Sequence, residues 1–145
     1  MKNLFVKLSA ILFLLVGISC NTVNGKVENK EAQLTNVEKI EVYYFHYSRR
    51  CATCMAVENE TKAALESLYA DDMKSEVIVF KAVNLDEPES EAIAQKLEIS
   101  GQTLLIVAGD KKENLTTDAF MNAKSNPDKL KEIIKSTIDP LLGAE

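Results

Sequence analysis

Apolar and polar residues follow one another along the chain in patterns that predict an α/β domain. Three runs rich in β-branched and aromatic residues predict strands, over residues 40–46, 77–83 and 103–107. Elsewhere the apolar residues recur every three or four positions, which predicts helices over residues 51–70, 86–97 and 125–142. On the first helix, Cys54 falls on the apolar side and Glu58 on the charged side. Asp86 is expected to cap the second helix.

The last third of the pattern predicts an antiparallel edge to the sheet. Gly109–Lys112 predicts a turn, and residues 113–120 predict a weaker fourth strand. Because strand–helix–strand units cross over right-handed, the first two strands are expected to be parallel. The predicted fold class is therefore α/β, in the order β-α-β-α-β-β-α, with a four-stranded mixed sheet and helices on both of its faces.

The N-terminal segment has the pattern of an export signal. A positively charged start precedes Leu8–Ile18, 11 residues without charge, which is too short to span a bilayer that needs about 20 apolar residues. Cys20 follows Ser19 and resembles the lipidated cysteine of a bacterial lipobox, although Gly17 stands where leucine is usual. We expect residues 1–19 to be a signal peptide and Cys20 to be lipidated; ordinary cleavage nearby is the alternative.

The residues after Cys20 divide into a linker and a domain. Residues 20–36 are polar and charged, which predicts a flexible linker, and residues 37–145 form the predicted domain. These features predict an exported bacterial lipoprotein of the periplasm or outer cell envelope, held at the membrane by its N-terminal lipid alone.

The charge of the chain argues against several partners. The 145 residues include 17 basic and 22 acidic ones, and removal of Lys2 and Lys7 with the signal peptide leaves 15 basic residues and a net charge of −7. An acidic surface disfavours nucleic acid and anionic lipid headgroups as ligands.

The strongest chemical signal is a pair of cysteines at the predicted junction of the first strand and first helix. Cys51 and Cys54 are separated by two residues, a spacing that lets them close a disulfide. The first turn of a helix has unsatisfied N–H groups and about half a positive charge, so a thiolate at Cys51 is expected to be stabilised there, with Arg49 and Arg50 adding to the effect. Cys54 lies one turn further on the apolar side and is expected to be the buried, resolving thiol.

Other functions for the pair stay open at this point. A structural disulfide is possible, but a ring of this size adds little loop-closure stabilisation. A closed zinc site takes about four ligands, whereas the mature chain offers only Cys20, the cysteine pair and His46. Two thiols alone can trap a soft ion such as As(III) or Cu(I). His46 is either a base near the cysteines or, as we favour, a packed strand residue.

The order of elements around the cysteine pair resembles the thioredoxin superfamily over the whole predicted domain. Lys96–Thr103 is similar to the stretch that leads into the cis-proline loop of that family, which implies that Gln102 and Thr103 lie beside the cysteines and support substrate binding. Gln102 stands at the proline position, Arg50 replaces a tryptophan, and Phe45 stands where a buried acid is frequent. The resemblance implies a thiol–disulfide oxidoreductase without a cofactor.

Residues 43–54 resemble a small family of exported thioredoxin-like proteins labelled as a nitrophenyl-compound nitroreductase subunit and linked to arsenic-resistance gene sets. Nitro reduction usually uses a flavin, and the sequence has no glycine-rich dinucleotide fingerprint. The resemblance therefore implies a protein that passes electrons or thiols to a reductase subunit or to exported proteins. An accessory subunit with inert cysteines is a further alternative.

Overall fold

The computed structural model of the chain describes residues 38–143. The predicted signal peptide, Cys20 and the linker to residue 36 lie outside the described residues. Within 38–143, no helix combines the length and the apolar character needed to cross a membrane.

Between residues 38 and 143, four strands form one mixed sheet in the spatial order β2-β1-β3-β4. The central strand β1 runs parallel to β2 and antiparallel to β3, and β4 pairs antiparallel with β3 at the edge. The bounds are β1 Ile40–His46, β2 Ile78–Asn84, β3 Thr103–Ala108 and β4 Lys111–Asn114. The predicted mixed sheet of four strands is confirmed.

In the described part of the chain, five α-helices and one 3₁₀ turn connect and cover the strands. Their bounds are α1 Ala52–Leu68, α2 Ala70–Lys74, α3 Glu91–Leu97, α4 Thr116–Asn122 and α5 Pro127–Leu142, and the 3₁₀ turn, Pro88–Ser90, precedes α3. The side chain of Asn126 accepts a hydrogen bond from the N–H of Lys129, and Pro127 occupies the first turn of α5. Both features favour a helix start at this point.

Alternation along the strands supplies two apolar layers, one on each face of the sheet. On one face, Val42 and Tyr44 of β1 pack in a cluster whose helical members come from α1, α4 and α5 and include Val57, Leu65, Ala119, Leu130, Ile134 and Ile138. On the other face, Tyr43 and Phe45 pack with Ala94 and Leu97 of α3. Helices therefore cover both faces, as the sequence predicts.

The prediction of a strand over residues 113–120 is wrong. Only Gly109 and Asp110 form the turn, β4 ends at Asn114, and α4 follows directly. Leu115, Ala119 and Ala123 recur every four residues and are buried, so a helix buries all three on one side. The hydroxyl of Thr116 accepts a hydrogen bond from the N–H of Leu104, at 3.1 Å, and the N–H of Leu115 donates to the carbonyl of Leu104, at 2.9 Å.

Asp86 does not cap the second predicted helix. The chain forms the 3₁₀ turn first, and α3 begins five residues after Asp86 without a side-chain cap. The carboxylate of Asp86 instead accepts a hydrogen bond from the N–H of Ser48, 2.7 Å away. The short helix α2 was not predicted, because residues 70–74 bury no side chain and so leave no apolar periodicity.

Replacement of Leu130 by alanine should test the larger apolar layer. Leu130 is 0 % exposed on α5, so we expect Leu130→Ala to lower the free energy of unfolding by about 2–5 kcal/mol. Met121, which is 68 % exposed, is the control, and Met121→Ala should change this free energy by less than about 0.5 kcal/mol. Urea unfolding followed by circular dichroism measures both, and equal effects would contradict the packing described here.

Candidate functional site

The cysteine pair lies at the point where β1 passes into α1. Cys51 is the N-cap residue of α1, with φ −85° and ψ 165°, and its sulfur accepts a hydrogen bond from the N–H of Cys54 at 3.1 Å. The two sulfurs are joined in a disulfide with Cα atoms 5.1 Å apart. Cys51 is exposed, whereas Cys54 is 4 % exposed. The reachable sulfur thus lies at the positive end of a 17-residue helix.

The first turn of α1 has no acidic residue. A carboxylate there would compete for the free N–H groups and would repel a thiolate at Cys51. The first acid along the helix is Glu58, one turn beyond Cys54. The local sequence therefore leaves the helix N-terminus available to the sulfur.

Arg50 turns toward α1 and is tied to it. One guanidinium nitrogen lies 2.5 Å from a carboxylate oxygen of Glu58, another donates to the carbonyl of Cys54 at 3.3 Å, and the group lies 5.6 Å from the ring centre of Tyr44. The hydroxyl of Tyr44 donates to the same carbonyl at 3.0 Å. Burial raises the pKa of Tyr44, so the hydroxyl stays protonated and able to donate.

This arrangement changes the expected role of Arg50. Both partners of the Arg50–Glu58 pair are mostly buried, with side chains 22 % and 20 % exposed. Because Glu58 neutralises the guanidinium, Arg50 contributes less to stabilising a thiolate at Cys51 than the sequence suggested. Arg49 is exposed, and no ion pair between the described residues includes it. Arg49 is thus the arginine whose charge remains uncompensated beside the cysteines.

An open cleft of about 490 Å³ brings most of the predicted site residues together; its walls are Tyr47, Arg49, Arg50, Cys51, Cys54 and Gln102. Gln102 reaches Cys54, with its Nε2 atom 3.5 Å from the sulfur. Thr103 does not line the cleft, because its side chain is buried at the start of β3 and donates to the carbonyl of Gly101 at 3.0 Å. Among the described residues that line the cleft, two are cations and none has a carboxylate.

The loop that leads to Cys51 is held from the end of β2. Asp86 accepts the N–H of Ser48, and the side-chain amide of Asn84 donates to the Ser48 hydroxyl at 3.0 Å. The backbone hydrogen bond from Ser48 lowers the pKa of Asp86. The carboxylate therefore stays charged, and able to accept this bond, to a lower pH than an ordinary aspartate. Sequence reasoning missed this contact because 38 residues separate its two partners.

Two residues weighed in the sequence lie apart from the sulfurs. Phe45 is fully buried on the face covered by α3, where its ring stacks on Tyr43 with centres 5.6 Å apart. His46 ends β1, contacts the carbonyl of Tyr47 through Nδ1 at 3.1 Å, and does not line the cleft. Within residues 38–143, no cluster of three or more histidine, cysteine or acidic side chains could hold a metal ion.

The sheet order and the position of the disulfide together define a thioredoxin-like fold. A Cys-x-x-Cys pair opens the helix that follows the central strand, and the loop before the antiparallel strand β3 closes over it. Such a pair, with one sulfur exposed and the other buried beneath it, can exchange a dithiol for a disulfide.

Solved structures of other proteins are similar to part of this chain. No known family description and no curated protein matches the chain. The germline-specific thioredoxin Deadhead of Drosophila melanogaster is 16 % identical over 68 % of this chain and 81 % of its own, with a TM-score of 0.45. A thioredoxin of Fasciola hepatica is 19 % identical over the same shares, also at 0.45. A malarial protein is 17 % identical over 68 % of this chain and 96 % of its own, at 0.44.

A double-mutant cycle on Arg50 and Glu58 should measure the ion pair. We expect Arg50→Ala to lower the free energy of unfolding of the oxidised protein by about 1–3 kcal/mol, because it leaves a mostly buried carboxylate without its counter-ion. The coupling energy with Glu58→Ala should be about 0.5–3 kcal/mol. Arg49→Ala is the matched control and should change stability by less than about 0.5 kcal/mol. Zero coupling would show that the pair contributes nothing.

Proposed function

We propose that this protein exchanges a dithiol for a disulfide on exported protein partners through Cys51 and Cys54. The observation that carries the proposal is the exposed sulfur of Cys51 at the N-terminus of α1, bonded to the buried sulfur of Cys54. The resemblance of residues 37–143 to the thioredoxin superfamily supports the same proposal. The export pattern of residues 1–19 supports partners outside the cytoplasm.

The exchange proceeds in two steps. In the oxidising direction a partner thiolate attacks Cys51 Sγ, the Cys51–Cys54 bond breaks, and its electron pair passes to Cys54 Sγ, which then takes up a proton. A second partner thiolate attacks the partner sulfur of the mixed disulfide, and Cys51 leaves as a thiolate. The partner ends with a disulfide, and the protein holds the two electrons that the partner lost. Reduction of a partner follows the same steps in reverse.

Two features near Cys51 favour the reduced form. The helix N-terminus and the uncompensated charge of Arg49 both stabilise a thiolate, and stabilisation of the reduced form raises the reduction potential of the couple. This supports an oxidant or isomerase more than a strong reductant. A role as the electron-passing partner of a reductase subunit would use the same two steps.

Catalysis of insulin reduction by dithiothreitol should test the exchange. We expect the wild-type protein to accelerate the reaction and Cys51→Ser to return it to the rate of dithiothreitol alone, because the thiolate of Cys51 is the group that attacks the insulin disulfide. Cys54→Ser should accumulate a mixed disulfide at Cys51, detectable by mass spectrometry, because the resolving thiol is absent. Met121→Ala changes an exposed side chain that does not line the cleft, so it should retain activity and serves as the control.

The same variants separate the alternatives. No acceleration, together with an ordinary alkylation rate at Cys51, would contradict the proposal and would favour an accessory subunit with inert cysteines. Native mass spectrometry of the reduced protein with As(III) and with Cu(I) addresses the soft-ion trap. A stoichiometric adduct that requires Cys54, without insulin reduction, would replace exchange with metalloid or metal binding.

We also propose that Cys20 is lipidated and anchors the domain in the cell envelope. This rests on the sequence around Cys20, where a small residue and an apolar run precede the cysteine. We expect the bacterially expressed full chain to partition into detergent and to gain the mass of acyl chains, and Cys20→Ala to lose both properties. Cys51→Ala should keep them. Recovery of the wild type as a soluble, unacylated protein would show ordinary cleavage instead.

A further inference from the structure

The loop before β3 presents a side-chain amide to the buried sulfur of the disulfide. Gln102 precedes β3 by one residue, and its Nε2 and Oε1 atoms lie 3.5 and 3.9 Å from Cys54 Sγ. A disulfide sulfur has no hydrogen, so only the amide N–H can donate in this contact. Among the hydrogen bonds of the described residues, no other side chain contacts this sulfur.

The two sulfurs therefore have donors of different kinds. Cys51 Sγ accepts from a backbone N–H of the helix, whereas Cys54 Sγ depends on the side chain of Gln102. Cys54 is 4 % exposed, so water contributes little to the stabilisation of negative charge on its sulfur. Burial disfavours the thiolate, and the amide is the group placed to offset that effect.

We propose that Gln102 is a catalytic residue whose amide stabilises the charge that develops on Cys54 Sγ when the disulfide opens or closes. This deepens the proposed function and rests on it. When a thiolate attacks Cys51, Cys54 is the leaving group; when a mixed disulfide resolves, Cys54 is the nucleophile. The same sulfur carries the electron pair in both directions, so one donor assists both.

The physical reason is the difference between a neutral and a charged acceptor. A hydrogen bond to an ionised group is about twice as strong as one between neutral groups. The contact with Gln102 is therefore weak in the oxidised protein and strengthens as the S–S bond lengthens. An interaction that is stronger in the transition state than in the ground state accelerates the reaction.

Opening of the protein disulfide by dithiothreitol at neutral pH tests the proposal without a partner protein. One thiolate of the reagent attacks Cys51 Sγ and Cys54 leaves; the second reagent thiol then closes a cyclic disulfide and releases Cys51. Gln102→Leu retains bulk but removes the donor, and should slow opening about tenfold. Gln102→Glu places a carboxylate beside the sulfur and should be slower still, whereas Gln102→Asn should be intermediate between wild type and Gln102→Leu.

A control and a second readout separate charge stabilisation from packing. Gln95 on α3 donates to Glu91 at 2.9 Å on the exposed surface, and Gln95→Leu should open at the wild-type rate. Closure of the mixed disulfide between Cys51 and glutathione, in which Cys54 is the nucleophile and glutathione leaves, should slow in the order wild type, Gln102→Leu, Gln102→Glu. A purely structural role would change the midpoint of thermal unfolding, but it would not make Gln102→Leu react faster than Gln102→Glu.

If the disulfide of Gln102→Leu opened at the wild-type rate, the assignment would be overturned. It would also be overturned if the disulfide of Gln102→Glu opened as fast as that of Gln102→Leu, or faster. Should Gln102→Leu fail to fold, the ranking of Gln102→Asn and Gln102→Glu against wild type decides the question. Failure of insulin reduction with the ranking intact would remove the proposed function and leave the role of Gln102 at the sulfur. If insulin were reduced but the variants did not follow the predicted ranking, the proposed function would stand and the role of Gln102 would be removed.

Discussion

The first turn of α1 must find acceptors for backbone N–H groups that no carbonyl of the helix can reach, and the sulfur of Cys51 provides one. This constraint unites structure and chemistry at one residue. The sulfur that caps the helix is also the exposed one, and the turn that places it brings Cys54 beneath it. A serine at residue 51 could cap the helix as well, but it could not form the disulfide.

The polar groups near Cys54 bind different parts of that residue. Arg50 and Tyr44 both donate to the carbonyl of Cys54, and Glu58 neutralises the guanidinium. They hold the backbone of the buried cysteine, while Gln102 is the one described side chain that forms a hydrogen bond with its sulfur. The charge on the two sulfurs is therefore stabilised by the helix N-terminus, Arg49 and the amide of Gln102. Arg50 mainly holds α1 against β1.

The parts of the fold with strong periodicity were predictable from the sequence. The strands β1 to β3, the long helices and the place of the cysteine pair all follow from apolar spacing and turn chemistry. The region after β4 was not, because Leu115 to Ala119 is too short for helical spacing to outweigh its β-branched threonines. Only the packed structure shows that a helix there buries Ala119 and Ala123 in the larger apolar layer.

The position of the two cysteines could be predicted from the sequence, whereas the contacts of the charged side chains around them could not. Helical spacing places Glu58 on the polar side of α1, and nothing in the sequence indicates that Arg50 folds back to meet it. The position of Asp86 in the sequence likewise suggests a helix cap. Its contact with Ser48 forms because the ends of β1 and β2 lie side by side in the folded sheet. Long-range polar contacts of this kind leave no local pattern.

Both backbone groups of Leu104 are bound by the segment that follows β4: its N–H by the hydroxyl of Thr116 and its carbonyl by the N–H of Leu115. Thr103, the residue before it, is paired with Phe45 of the central strand. The strand that follows Gln102 is thus bonded on both of its edges. This bonding fixes the backbone position from which the side chain of Gln102 reaches the sulfur of Cys54.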